Sequence, residues 1–150
     1  MKLKIIILLV VIVLTSCNEK KEEVKKEMPK VIVKSDDGRI SLHLNAMQKK
    51  HQLSNMRSHL VAVQTLIELI AEDDFEKASK VAYTQLGTTT AMRLMCASFG
   101  NKKFEDMGLK FHSDADKMSE ILKTKDKDKS LKALSKTMNS CISCHATFKQ

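Results

Sequence analysis

The chain has 150 residues and a formal net charge of +8, and 43% of its residues are hydrophobic. That length suits one domain with or without a tail, and the hydrophobic fraction is too high for a disordered chain. One proline and four glycines argue against a turn-rich all-β fold, and four cysteines are too few for a disulfide scaffold. Aromatic residues make up only 4%, which leaves few stacking platforms for nucleic acid.

The amino terminus has the pattern of an export signal. Lys2 and Lys4 precede an apolar run over residues 5–14, which is too short to cross a bilayer as a helix. The next residues, Leu14-Thr15-Ser16-Cys17, resemble a bacterial lipobox. This resemblance implies that residues 1–16 are a lipoprotein signal peptide and that Cys17 becomes the acylated amino terminus. An ordinary cleaved signal and an uncleaved anchor are the alternatives.

Residues 17–38 follow as a segment in which lysine and glutamate alternate around the only proline, Pro29. We expect it to be a charged, flexible tether between the lipid on Cys17 and a folded domain. An amphipathic helix on the membrane surface is the alternative, although the charges leave no clear apolar stripe. Within this segment, Val31-Ile32-Val33 is a candidate for a short extended piece.

Residues 39–150 are expected to form one all-α domain, an antiparallel four-helix bundle, because apolar residues recur there at helical spacing. The first helix is predicted to start near Ser41. A second helix should follow Asp73-Asp74 and end at Gly87, and Thr88–Lys103 should be a crossover with a turn of helix near Ala91–Cys96. The expected buried stripes are Leu53, Met56, Leu60, Val63, Ile67 and Ile70; then Phe75, Ala78, Ala82 and Leu86.

The last two predicted helices are separated by a polar turn over residues 124–130. The third helix should bury Phe104, Met107, Phe111, Ala115, Met118 and Leu122, and the fourth should carry Leu131, Leu134, Met138, Ile142, His145 and Phe148. Four stripes of this kind are buried best against one another, since each helix has a single apolar face.

The fourth helix contains Cys141-Ile142-Ser143-Cys144-His145, a Cys-x-x-Cys-His motif. Two thiols at this spacing can add across the two vinyl groups of one haem, and the adjacent imidazole can reach the iron. A thioredoxin-like pair needs a strand before the motif, and zinc needs a second ligand pair, for which Cys96 is a poor candidate. A structural disulfide would leave His145 without a purpose. We therefore expect haem c, one per chain.

A helical domain with a single such motif in its last helix, closing on the sequence CISCHATFKQ, resembles the cytochrome c-prime family, the class II c-type cytochromes. The resemblance covers about residues 40–150 and includes an aromatic and a basic residue after the motif, Phe148 and Lys149. It implies haem inside the bundle, with Cys141 and Cys144 as covalent anchors and His145 as the proximal iron ligand.

In that family the other axial position faces the first helix, and the residue there separates two functions. A methionine gives a six-coordinate, low-spin haem for electron transfer, whereas leucine or phenylalanine leaves iron open to small gases. Met56 is the expected distal ligand, since a thioether suits an apolar cavity. Met47, His59 and an open site lined by Leu53 or Leu60 are the alternatives.

The remaining histidines and Cys96 are predicted to have no role at the haem. His43, His51 and His59 recur at eight-residue intervals, so each lies about 80° round a helix from the last and they cannot share one metal ion. We expect all three to be solvated. His112 should be at the helix surface or partly buried with a partner, and Cys96 should be a small buried apolar residue, with intermolecular oxidation as the alternative.

Several charged residues are candidates for contacts with haem or with a partner protein. Arg57 and Arg93 either face haem propionates or are solvated at the surface. A set of lysines surrounds the predicted haem helix and is either a solvated face or a docking surface for an acidic redox protein: Lys123, Lys125, Lys127, Lys129, Lys132, Lys136 and Lys149.

These features favour an exported electron carrier, lipid-anchored to a bacterial membrane and facing the periplasm or the outside. We expect an acidic redox partner and no nucleic-acid partner, and we leave a homodimer open. No acid–base pair or activated nucleophile stands out, so an enzyme is not predicted. The alternatives are a protein that binds nitric oxide or carbon monoxide and a structural lipoprotein whose motif is a disulfide.

Overall fold

The computed structural model of the protein describes residues 37–150, and this part is mostly helical. The predicted signal peptide, Cys17 and residues 17–36 of the predicted tether lie outside the described residues. The elements in chain order are β1 (Ile40–Ser41), α1 (Ala46–Ala71), α2 (Phe75–Val81) with a π-helical turn (Ala82–Leu86), α3 (Thr90–Ser98), α4 (Lys102–Leu122), α5 (Lys127–Thr147) and β2 (Phe148–Lys149). The prediction of an all-α domain is confirmed.

Helix α1 begins five residues later than the predicted start near Ser41, because Asn45 caps it. The Asn45 side chain accepts a hydrogen bond from the backbone N–H of Gln48, and the Gln48 side chain accepts one from the backbone N–H of Asn45. This reciprocal capping box satisfies two donors at the helix end, so the helix starts there. None of the helices in residues 37–150 combines the length and apolar character needed to cross a membrane.

Helix α2 follows the prediction closely. The Asp74 side chain caps it by accepting from the backbone N–H of Lys77 at 3.2 Å. The helix and its π-helical turn bury the predicted stripe of Phe75, Ala78, Ala82 and Leu86. Gly87 ends the element as expected, at a position where a Cβ would collide with the main chain of the π-helical turn and with a carboxylate on α4.

The predicted crossover contains a longer helix than expected, since α3 runs for nine residues from a cap at Thr89. The predicted polar turn at 124–130 is shorter than expected, because Asp126 caps α5 by accepting from the backbone N–H of Lys129 at 2.9 Å. Helix α5 therefore begins at Lys127, inside the segment assigned to the turn.

The main core lies among α1, α2, α4 and α5, and its fully buried side chains include Leu66, Ile70, Leu86, Met118 and Leu122. A second apolar cluster lies at the end of the domain where the described chain begins and ends; it consists of Leu44, Phe99, Phe104 and Phe148. Phe148 is not in the fourth helix as predicted. It pairs with Ile40 in a short parallel sheet and packs edge-on to Phe104 at 5.3 Å between ring centroids.

Helices α1 and α5 run in opposite directions and are joined at both ends. At one end the Lys127 ammonium donates to the carbonyl of Ala71 at 3.2 Å and pairs with Asp73 at 2.7 Å. At the other end β1 pairs with β2. Between these ties α1 and α5 pack much less extensively than α4 and α5 do. The side of the domain between α1 and α5 is therefore more loosely packed than the side between α4 and α5.

Candidate haem-binding site

Cys141, Cys144 and His145 lie in the last turns of α5. At about 100° per residue, Cys141 is about 60° round the helix from Cys144, and His145 is about 40° beyond Cys141. The two thiols and the imidazole therefore occupy one arc of about 100°. The structure brings the three predicted residues to one side of one helix, within less than two turns.

The three side chains differ in exposure. Cys144 is half-buried against the second apolar cluster, whereas Cys141 and His145 are exposed. Both cysteines are free thiols. Burial raises the pKa of each thiol, and the neighbouring thiols Cys141 and Cys96 raise that of Cys144 further. In residues 37–150, no hydrogen bond engages the imidazole of His145, although its backbone carbonyl accepts one from Arg39.

The flank of α5 that carries His145 is the one that faces α1. Lys127 and His145 are 18 residues apart, which is about five complete turns, so they share one side of the helix. Lys127 contacts the end of α1 through Ala71 and Asp73. His145 therefore lies on the α1-facing flank, at the opposite end of α5.

Met56 is half-buried on α1. It precedes Ala71 by 15 residues, while His145 follows Lys127 by 18. Since the Lys127 side chain reaches Ala71, a rise of about 1.5 Å per residue puts Met56 and His145 at similar heights along the two helices. The same arithmetic puts Leu53 level with His145.

The predicted buried stripe of α1 was only partly right. Leu53, Leu60 and Ile67 are 46%, 69% and 49% exposed, so their assignment to the core is wrong. The buried residues are instead Gln52, His59, Ala62, Val63, Leu66 and Ile70. The two sets lie side by side on the helix, and packing against α2 and α4 turns the second set inward.

The exposed apolar flank of α1 lies on the side away from α3. Asn55 marks the opposite flank, because its amide donates to the Met95 sulfur on α3. Leu60 follows Asn55 by five residues, which is about 140° round the helix. On α5, Met138 follows Lys127 by 11 residues, which returns it to within about 20° of the α1-facing flank. Leu60 thus lies on the flank of α1 away from α3, and Met138 lies on the same flank of α5 as Lys127 and His145.

The prediction that His59 is solvated is wrong, because the side chain is buried. Its ring packs on Phe111 and on His112, with centroids 5.0 and 5.6 Å away. Among residues 37–150, its Nε2 has no hydrogen-bond partner. Burial, with a smaller effect of His112, lowers the pKa of His59 to about 4. The sequence carries no signal for this, since Gln52, His59 and Leu66 repeat at the same seven-residue spacing as the exposed set.

The predicted states of His43, His51 and Cys96 are confirmed. His43, His51, Arg57 and Arg93 are exposed. Cys96 is buried, and its sulfur lies against Gly108, where an added Cβ would approach it to 2.9 Å. His112 is buried, and its Nδ1 lies 2.7 Å from the carbonyl oxygen of Leu86, which satisfies it.

The predicted lysines do not form one cluster around His145. Lys123, Lys125, Lys127 and Lys129 are at or just before the start of α5, at least about 24 Å along the axis from His145 at 1.5 Å per residue. Lys129 pairs with Asp126 at 2.8 Å and Lys123 with Glu120 at 2.6 Å. Lys149, beyond the helix, pairs with Asp37 at 3.0 Å. Sequence analysis did not single out Asp37 or its neighbour Arg39.

Comparison with protein-family models, curated proteins and solved structures returns no match for this chain. Within residues 37–150, no three side chains of His, Cys, Asp or Glu form a set that could hold a metal ion by themselves. The geometry of the motif and of the α1–α5 side is therefore the basis for assigning a function.

Proposed function

We propose that the domain binds one haem c through Cys141 and Cys144, with His145 as the proximal ligand, and that it carries single electrons. The observation that carries the proposal is the common arc of these groups on the α1-facing flank of α5. Free thiols and an imidazole without a hydrogen-bond partner in the described chain fit the donor set. Haem c, when bound, supplies an iron that alternates between the ferric and ferrous states.

We further propose that the domain is an antiparallel four-helix bundle of the cytochrome c-prime type, with haem between α1 and α5. Two features support this placement. These helices are tied at both ends but packed loosely between the ties. Leu53 and Leu60 on α1 and Met138 on α5 leave apolar surface exposed on these two helices, and covering such surface with an apolar group is favourable by roughly 25 cal/mol per Å².

Each residue of the chain would have a distinct task. Cys141 and Cys144 would fix the group to α5 through thioethers, and His145 would supply a nitrogen ligand from the same helix. Phe104 and Phe148, beside Cys144, would exclude water from that anchor. A rigid, dry surrounding keeps ligands in place when the charge on the iron changes, so little energy is needed for rearrangement.

Met56 is the proposed distal ligand. Its half-buried position on α1, at a height similar to that of His145, supports this role. A Met56→Ala variant should change a low-spin ferric spectrum to a high-spin one, and its ferrous form should bind carbon monoxide rapidly. Leu53→Ala on the same flank is the matched control and should remain low-spin. A native protein that is already high-spin would refute ligation by Met56.

Gas binding is the second candidate function, and the placement of Leu53 favours it. Leu53 is level with His145 and partly exposed on α1, and a leucine opposite the iron supplies no ligand. In this case the native ferrous protein would bind carbon monoxide or nitric oxide readily. The Met56→Ala substitution would then leave the spectrum unchanged.

The first experiment is expression with haem-maturation machinery, followed by acid–acetone extraction and intact mass measurement. Colour should stay with the polypeptide, and the mass should exceed that of the mature chain by one haem. A Cys141→Ala/Cys144→Ala double variant should carry none. Colourless native protein of apo mass, from cells that mature other c-type haems, would refute haem binding and favour the structural lipoprotein.

Location and partners are proposed on the sequence alone. Acylation at Cys17 would attach the protein to a bacterial membrane, facing the periplasm or the outside. Labelled palmitate should be incorporated into the native chain and not into a Cys17→Ala variant. The partner is proposed to be an acidic redox protein, and its reaction should slow as salt screens the lysines.

A further inference from the structure

The segment just before α1 lies against the end of α5. Ile40 and Ser41 pair in parallel with Phe148 and Lys149, and the backbone N–H of Leu42 donates to the carbonyl of Lys149 at 3.0 Å. These contacts begin three residues after His145. The first described residues of the domain thus adjoin the helix end that carries the proposed iron ligand.

Arg39 makes the direct contact with that ligand residue. Its Nη1 donates to the backbone carbonyl of His145 at 3.4 Å. The last carbonyls of a helix have no partner within the helix, and a cation there is favoured by the helix dipole. Arg39 therefore caps α5 from another part of the chain, at the residue whose position matters most for iron.

Asp37 holds Arg39 in this position. One of its carboxylate oxygens, Oδ2, accepts from Nε of Arg39 at 2.8 Å and from Nη2 at 2.6 Å, so two N–H groups of the guanidinium converge on it. The same carboxylate accepts from the Lys149 ammonium at 3.0 Å. Hydrogen bonds from Arg39 and Lys149 keep the pKa of Asp37 well below its ordinary range, so its negative charge persists at neutral pH.

We propose that Asp37 and Arg39 form a charged clasp that holds the backbone of His145 and sets the charge beside it. This inference rests on the proposed haem attachment, and in it Asp37 and Arg39 act on the iron by positioning His145. The Arg39 cation disfavours the additional positive charge of ferric iron, whereas the Asp37 anion favours it. Their loss should therefore move the reduction potential in opposite directions.

The test is redox titration of the full haem-loaded chain at low ionic strength. Arg39→Gln should lower the midpoint potential and Asp37→Asn should raise it, and added salt should reduce both changes because the groups are partly exposed. Arg39→Lys keeps the charge and should restore most of the native potential. Lys77→Gln and Glu120→Gln remove one exposed cation and one exposed anion at the opposite end of the domain and should change nothing.

Hydrogen exchange measured by mass spectrometry supplies a second readout, which does not depend on the iron. Exchange at residues 144–148 should accelerate in Arg39→Gln, because the helix end loses its cap. Potentials that move in the same direction in both variants, or not at all, would overturn the clasp while leaving the proposed function intact. A native chain without covalent haem would overturn both.

Discussion

Replacing His59 by phenylalanine should make the stability of the protein much less sensitive to mild acid. His59 is only 9% exposed, and its Nε2 has no partner in the described chain. The folded protein therefore holds the imidazole neutral, with its pKa lowered to about 4. Phenylalanine keeps a ring against Phe111 and removes the group that gains a proton.

The size of the effect follows from the two pKa values of His59. The ordinary value of about 6.5 applies to the unfolded chain, so between about pH 6.5 and pH 4 the unfolded chain binds a proton that the folded chain does not. Stability is thus complete above pH 6.5 and falls as the pH drops towards 4. At pH 5 the loss from His59 is about 2 kcal/mol, and it approaches about 3 kcal/mol below pH 4.

The assay is urea unfolding followed by circular dichroism at about pH 7.5 and about pH 5, where 2 kcal/mol corresponds to a midpoint change of roughly 1 M. Asp74 and Asp126 have pKa values lowered below 3.8 by lysine hydrogen bonds, so they stay ionised throughout this window. His112, whose pKa is also lowered by burial, contributes in the same direction in every variant.

His51→Phe is the matched control, because His51 lies exposed on the same helix. This variant should keep the full acid sensitivity of the native protein, and His59→Leu should lose it as His59→Phe does. Equal losses between pH 7.5 and pH 5 in the native protein and in both His59 variants would refute the buried, neutral imidazole.

Three further outcomes follow from packing. Leu66→Ala should lower the free energy of unfolding by about 2–5 kcal/mol, and the exposed Val61→Ala should change it by less than about 0.5 kcal/mol, measured by urea unfolding; similar losses would contradict the assigned faces of α1. Gly87→Ala should cost about 1–3 kcal/mol, since its Cβ has no room, and an unchanged melting temperature would contradict this crowding. Cys96→Ser should retain covalent haem by intact mass whereas Cys144→Ser should lose one thioether, and haem loss in the Cys96 variant would give that thiol a role in attachment.

The helices could be predicted because their signals are local. Asp74 and Gly87 mark the two ends of α2 within a few residues of the apolar stripe, and the prediction of that element is confirmed. Helix α5 begins at Lys127, inside the predicted turn, because a cap at Asp126 outweighs a run of charged residues. The Cys-x-x-Cys-His spacing likewise determines, on any helix, that the three groups share one side.

Which face of a helix is buried is not a local property. On α1, the residues Leu53, Leu60 and Ile67 repeat with the same period as the residues that are buried, and only the position of α2 and α4 decides between the two sets. His59 is buried for this reason although its residue type favours solvent. Contacts distant in sequence, such as those that bring Asp37 and Arg39 to His145, leave no periodic signal in the chain. The sequence by itself determined the helices and the order of Cys141, Cys144 and His145 on α5, whereas the tertiary structure alone decided what surrounds those side chains, because burial depends on neighbours that the local sequence does not specify.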